Sequence, residues 1–211
     1  MIIRDSILAI SLLTAFSTAS HASTLNFNCI TANDISGASC EIARDQMTVV
    51  ITDATDGTGD KALFTFNNIG ADLEAFISEI YFIDDTLLGI ASINNQAGVQ
   101  FTSGANPANL PGYSASASFS VENKPGASNG IQAGESLGIT FDLLDGVTFS
   151  DTKNALNTGA LIIGIHAQGL GAGLDDSFGE SLITTIPIPA AAWLFGSGLI
   201  GLMGFAKRKK K

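Results

Sequence analysis

Apolar and polar residues alternate along two stretches of this chain. Tyr113, Ala115, Ala117, Phe119 and Val121 alternate with Ser114, Ser116, Ser118, Ser120 and Glu122. Leu137, Ile139, Phe141 and Leu143 alternate with Ser136, Gly138, Thr140 and Asp142. Successive side chains on a strand point to opposite faces, so each run predicts a strand with one dry and one wet face. That pattern suits antiparallel sheets. Weaker strands are predicted at 46–52, 61–67, 76–83, 87–93 and 161–168, with turn-rich segments at 53–60, 104–112, 123–134 and 169–179. Short strands separated by such turns predict an all-β fold, an antiparallel, jelly-roll-like β-sandwich spanning 23–185.

One or two helical turns are predicted at 150–157. Ser150 is the expected cap, Asp151 suits the first turn, and Gly159 ends the helix. Residues 169–180 are rich in glycine and acid and read as a loop or stalk.

The ends of the chain carry a different pattern. Residues 1–22 read as a secretory signal peptide: Arg4 in the n-region, an apolar stretch over 6–16, and Ser20-His21-Ala22 as a small-x-small cleavage site. At the other end, Ile186-Pro187-Ile188-Pro189-Ala190 precedes an uncharged segment over 190–206. Each proline fixes φ and lacks an N–H, which keeps this stretch extended and out of the helix that follows. Seventeen residues make roughly 26 Å of helix, near the lower limit for crossing a bilayer. Lys207, Arg208, Lys209, Lys210 and Lys211 then set the cytoplasmic end, because such side chains cost about 2.5–3.5 kcal/mol each at the bilayer centre. A C-terminal transmembrane helix over 190–206, inside a sorting signal spanning 186–211, is therefore expected.

The order of motif, span and basic end resembles the C-terminal sorting signal of the PEP-CTERM family, in its VPLPA variant. The matching residues are Pro187, Pro189 and Ala190, then Ala191, Ala192, Trp193, Leu194, Phe195, Gly196, Ser197, Gly198 and Leu199, and the basic end. Ile186 stands where the variant has Val, Ile188 where it has Leu, and the Glu of the parent Pro-Glu-Pro form is absent. The resemblance implies an exported protein of a Gram-negative bacterium with an exopolysaccharide-forming surface. It implies an exosortase-like membrane protease as partner. It further implies a precursor anchored in the inner membrane with its domain outside the cytoplasm, and a mature protein at the cell surface or in the medium.

Charge sharpens that picture. The chain carries a formal charge of −10. Arg4 and Asp5 leave with the signal peptide and the five basic residues leave with the tail. Four basic and nineteen acidic residues remain, a formal charge of −15. Such a surface repels phosphate backbones, so no nucleic-acid partner is expected.

The exported part holds two cysteines, Cys29 and Cys40, and in an oxidising compartment an isolated pair predicts a disulfide. Its one histidine, His166, has no nucleophile elbow or similar signature beside it; a buried or rim imidazole bonded to backbone is the expected role. The acidic turn with Asp53, Asp56 and Asp60, together with Asp84-Asp85 and Asp175-Asp176, offers hard oxygen ligands for calcium, and equally what a solvated turn needs. Trp193 belongs to the tail, and Tyr81 and Tyr113 are the other candidates for an aromatic sugar platform, so a wide one is not expected. No cofactor is indicated. The expected function is a non-catalytic surface or matrix protein associated with exopolysaccharide or biofilm. A carbohydrate- or calcium-binding module is the alternative, and an extracellular hydrolase comes third.

Overall fold

The computed structural model describes residues 22–30, 38–54, 60–70, 75–84, 87–170 and 180–184. The expected signal peptide (but for Ala22), sorting motif, transmembrane segment and basic end lie outside them, as do Asp56, Asp85, Asp175, Asp176 and residues 171–179. Among the described residues no helix is long and apolar enough to cross a membrane.

The described chain is mostly strand, arranged as two antiparallel sheets packed as a sandwich. One sheet runs β5 (Ile90–Asn94), β8 (Ser136–Asp142), β3 (Lys61–Asn68), β2 (Met47–Asp53), β1 (Ser23–Cys29). The other runs β10 (Glu180–Thr184), β9 (Ile162–Gln168), β4 (Phe76–Ile83), β7 (Phe119–Asn123), β6 (Phe101–Ser103). β1 joins them: Ser23 to Asn26 pair with β2, while Phe27 to Cys29 pair with β10. Alternation places Val49, Ile51, Phe64, Phe66, Ile139 and Phe141 on the inner face of the first sheet, all fully buried. Ile80, Phe82, Val121, Ile163 and Ile165 face them from the second. Phe82 sits at the centre, with ring centroids 4.8 Å from Phe141, 5.1 Å from Phe64 and 6.0 Å from Phe66 and Phe119. The pairs with Phe64, Phe66 and Phe141 are edge-on, the geometry the ring quadrupole favours.

Several expected elements shift for identifiable reasons. β5 starts at Ile90 rather than Leu87, because the Asp84 carboxylate accepts from the amides of Leu87 (2.5 Å) and Leu88 (3.1 Å) and closes a turn there. The strand expected over 113–122 is regular from Phe119 onward. Its partner β4 ends at Ile83, so residues before Ser118 have no neighbouring strand to pair with. The alternating burial nonetheless persists there, with Tyr113, Ala115 and Ala117 half-buried and the serines between them exposed.

α2 (Phe149–Thr158) occupies the expected helix and ends on left-handed Gly159, φ 77°. Its cap is Thr148 rather than Ser150. The Thr148 hydroxyl accepts from the Asp151 amide, and the Asp151 carboxylate accepts from the Thr148 amide at 2.8 Å. The bond from the Thr148 hydroxyl holds the Asp151 carboxyl below its ordinary pKa. β1, α1 (Ala38–Gln46), β6 and β10 are elements the sequence pattern did not reveal.

Candidate functional site

β4 brings the chain's chemistry together through one irregularity. Ile77 and Ile80 both face the core although they are three residues apart, which an unbroken strand forbids. The register shift between Ile77 and Glu79 resolves this: Ile77 lies opposite Ala167 and Glu79 opposite His166, leaving Ser78 as the extra residue of a β-bulge. The Ser78 hydroxyl donates to the His166 carbonyl at 3.1 Å. Beyond the bulge, Glu79 and Tyr81 lie on the outer face of the second sheet, beside His166 and Gly164 of β9 and Glu122 and Ser120 of β7.

These outward side chains are buried all the same. Tyr81 is fully buried and Glu79 is 7% exposed, because residues 104–118 cross the outer face as a strap. Leu110 of the strap packs on Tyr81 and sits over Gly164, where any Cβ would overlap it. At one end the Gly104 amide donates to the Ser120 carbonyl (2.8 Å), the Ala105 amide to the Ser120 hydroxyl (3.0 Å), and the Asn106 amide to Glu122 Oε2 (3.1 Å). At the other end the Ser118 amide donates to the Phe82 carbonyl (2.8 Å).

Glu79 Oε2 is the hub. It lies 2.7 Å from the Tyr81 hydroxyl and 3.1 Å from His166 Nδ1. The contact with the Glu79 carboxylate is a hydrogen bond with the imidazole proton on Nδ1. The Tyr81 oxygen also lies 3.0 Å from the Pro107 carbonyl of the strap, so its single proton is shared between two acceptors. Burial pushes the Tyr81 pKa well above its usual value near 10, and the bond to Glu79 and the charges of Glu79 and Glu122 push it the same way. The phenol is therefore a neutral donor throughout the physiological range. Across the sheet the register continues from Glu122 through Glu79 and His166 to Ser181 on β10. His166 is thus bound through its ring to a carboxylate rather than to backbone, a correction to the expected role; its carbonyl serves the bulge.

A second feature lies elsewhere. An open cleft of about 420 Å³ is lined by Asn26, Phe27, Asn28, Arg44 and Asp45, between β1 and α1, and shares no residue with the Glu79 network. Asn26 and Asn28 are exposed on the outer face of β1, while Phe27 between them turns into the core. The Arg44 Nε donates to Asp45 Oδ1 at 3.0 Å, with both side chains well exposed. Cys29 and Cys40 form the expected disulfide, Cα–Cα 6.1 Å, and tie the end of β1 to the first turn of α1 beside this cleft.

The remaining candidates are dispersed. Asp84 serves the turn before β5, and Asp53 and Asp60 flank 55–59, which lie outside the described residues. Among the described residues no group of three or more His, Cys, Asp or Glu is placed to hold a metal ion. Tyr81 lies in the network, and Tyr113 packs half-buried against the strap cluster. No family model, curated protein or solved structure matches this chain.

Proposed function

We propose that this protein is an exported surface or extracellular-matrix component, sorted by an exosortase-like system, associated with exopolysaccharide, and without catalytic activity of its own. The observation that carries this reading is the order of the tail: Pro187-Ile188-Pro189, an uncharged span, then five basic residues. The Cys29–Cys40 disulfide supports it, since such bonds persist in oxidising compartments and are rare in the cytosol. The described domain adds a second line of support. The Glu79 carboxylate and Tyr81 hydroxyl are engaged with each other and with the strap and His166, as expected of a device that holds a loop onto a sheet. A jelly-roll arrangement of the strands and a transmembrane helix over 190–206 belong to the same proposal.

The sorting step is open to direct test in a host that carries an exosortase. Replacing Pro187 and Pro189 by Ala should leave full-length protein in the inner-membrane fraction, while the unaltered chain leaves it. Equal release of the two proteins would remove the motif from the account. A carbohydrate-binding module is the second reading, and the polar cleft between β1 and α1 is what favours it.

A further inference from the structure

We infer that the cleft between β1 and α1 is a binding site for a neutral sugar unit of a polysaccharide. Its volume, about 420 Å³, falls within the range of small-ligand pockets. Its lining supplies the groups that sugar hydroxyls require, each hydroxyl being both donor and acceptor. The Asn28 amide offers both roles, Arg44 donates and Asp45 accepts. Two asparagines two residues apart on β1 share the outer face and form one wall. Arg44 and Asp45 belong to α1 and form the other.

The walls are fixed to each other. Cys29 directly follows Asn28, and Cys40 lies one helical turn before Arg44, so the disulfide holds β1 against α1 at the margin of the cleft. A site with its walls already in place loses less freedom on binding. Charge chooses the ligand. The Arg44–Asp45 pair leaves the cleft itself neutral, and the exported part carries a formal −15, which disfavours uronate-rich or sulfated polymers. Phe27 turns inward and supplies no stacking face, so recognition rests on hydrogen bonds rather than on aromatic stacking. The inference rests on the surface reading above for the presence of polysaccharide around the protein.

Full-length protein in a zwitterionic detergent can be run through native gels cast with neutral glucan, mannan or galactan, and in parallel with polygalacturonate. At least one neutral polymer should retard it, and polygalacturonate should not. Asn28→Ala and Asp45→Ala should each weaken that retardation by roughly tenfold, the loss of about 1.4 kcal/mol, with disulfide and melting temperature unchanged. Should either variant lose its disulfide or melt early, the side-chain amide signals of Asn26 and Asn28 in the unaltered protein decide, and they should move as polymer is added. Absence of retardation by every neutral polymer, undiminished retardation of both folded variants, amide signals that stay put, or preference for polygalacturonate would each overturn the inference. Unaltered protein that binds while folded variants bind equally well leaves the surface reading standing and removes the cleft. A chain kept in the cytoplasm with reduced cysteines removes the surface reading whatever the gels show.

Discussion

The two faces of β4 solve the same problem by different means. Ile80 and Phe82 point inward to a cluster of phenylalanines, where attraction is non-directional and spread over many contacts. Glu79 and Tyr81 point outward and are buried just as deeply, but by a loop tied down through a few named hydrogen bonds. An apolar core of the right volume tolerates repacking, whereas a buried polar network works only when every member is satisfied. The first face gives the domain its stability. The second fixes one segment in one place.

The largest effect should come from the inner face. Phe82→Ala removes the ring at the centre of the cluster and should cost about 3–5 kcal/mol, read as a fall in the denaturation midpoint. A loss under 1 kcal/mol would mean that the two sheets do not meet there. Tyr81→Phe keeps the ring and removes the hydroxyl shared by Glu79 and Pro107, at an expected cost of about 1–3 kcal/mol. Amide exchange should tell the two faces apart: Ala105 and Asn106 should lose protection in Tyr81→Phe while Phe64 on β3 keeps it.

The same variant carries a pH signature. Because the folded pKa of Tyr81 lies above the unfolded value near 10, the fold holds this proton more tightly than the open chain does. That contribution is complete below about pH 10 and is lost as the pH climbs from there toward the folded value. The unaltered protein should therefore lose stability above pH 10 more steeply than Tyr81→Phe. The raised pKa of Lys61, which comes first from its bond to Asp142, acts in the same direction but is common to both proteins. Ser120→Ala should have the smallest effect, about 0.5–1.5 kcal/mol, by deleting the acceptor for the Ala105 amide.

How much of this was legible in the sequence follows from the same contrast. Period-two alternation located β8 within a residue and placed Phe119 and Phe141 on the inner face, because inner faces are set by burial alone. β4 was found at its true bounds as an apolar run, yet its bulge was invisible, since both of its faces are buried and no alternation survives. The network of Glu79 and Tyr81 is illegible for the same reason: its other members, His166 and the Pro107 carbonyl of the strap, come from distant parts of the chain. The disulfide was legible from compartment and isolation of the pair. The cleft was not, although Thr24, Asn26 and Asn28 alternating with Leu25 and Phe27 was the signal for β1. Cys40 and Ala43, three residues apart, were the faint one for α1, carried by residues too small to announce a helix face.

The proposal that this domain works outside the cytoplasm, released from its tail, is tested most directly by the intact mass of the protein recovered from the surface of a host with an exosortase. The expected mature chain begins after the signal peptide, lacks Trp193 and everything beyond it, and gains two hydrogens on reduction as Cys29 and Cys40 open. A mature protein that retains the segment from Phe195 to Phe205, or whose two cysteines alkylate without reductant, would contradict it.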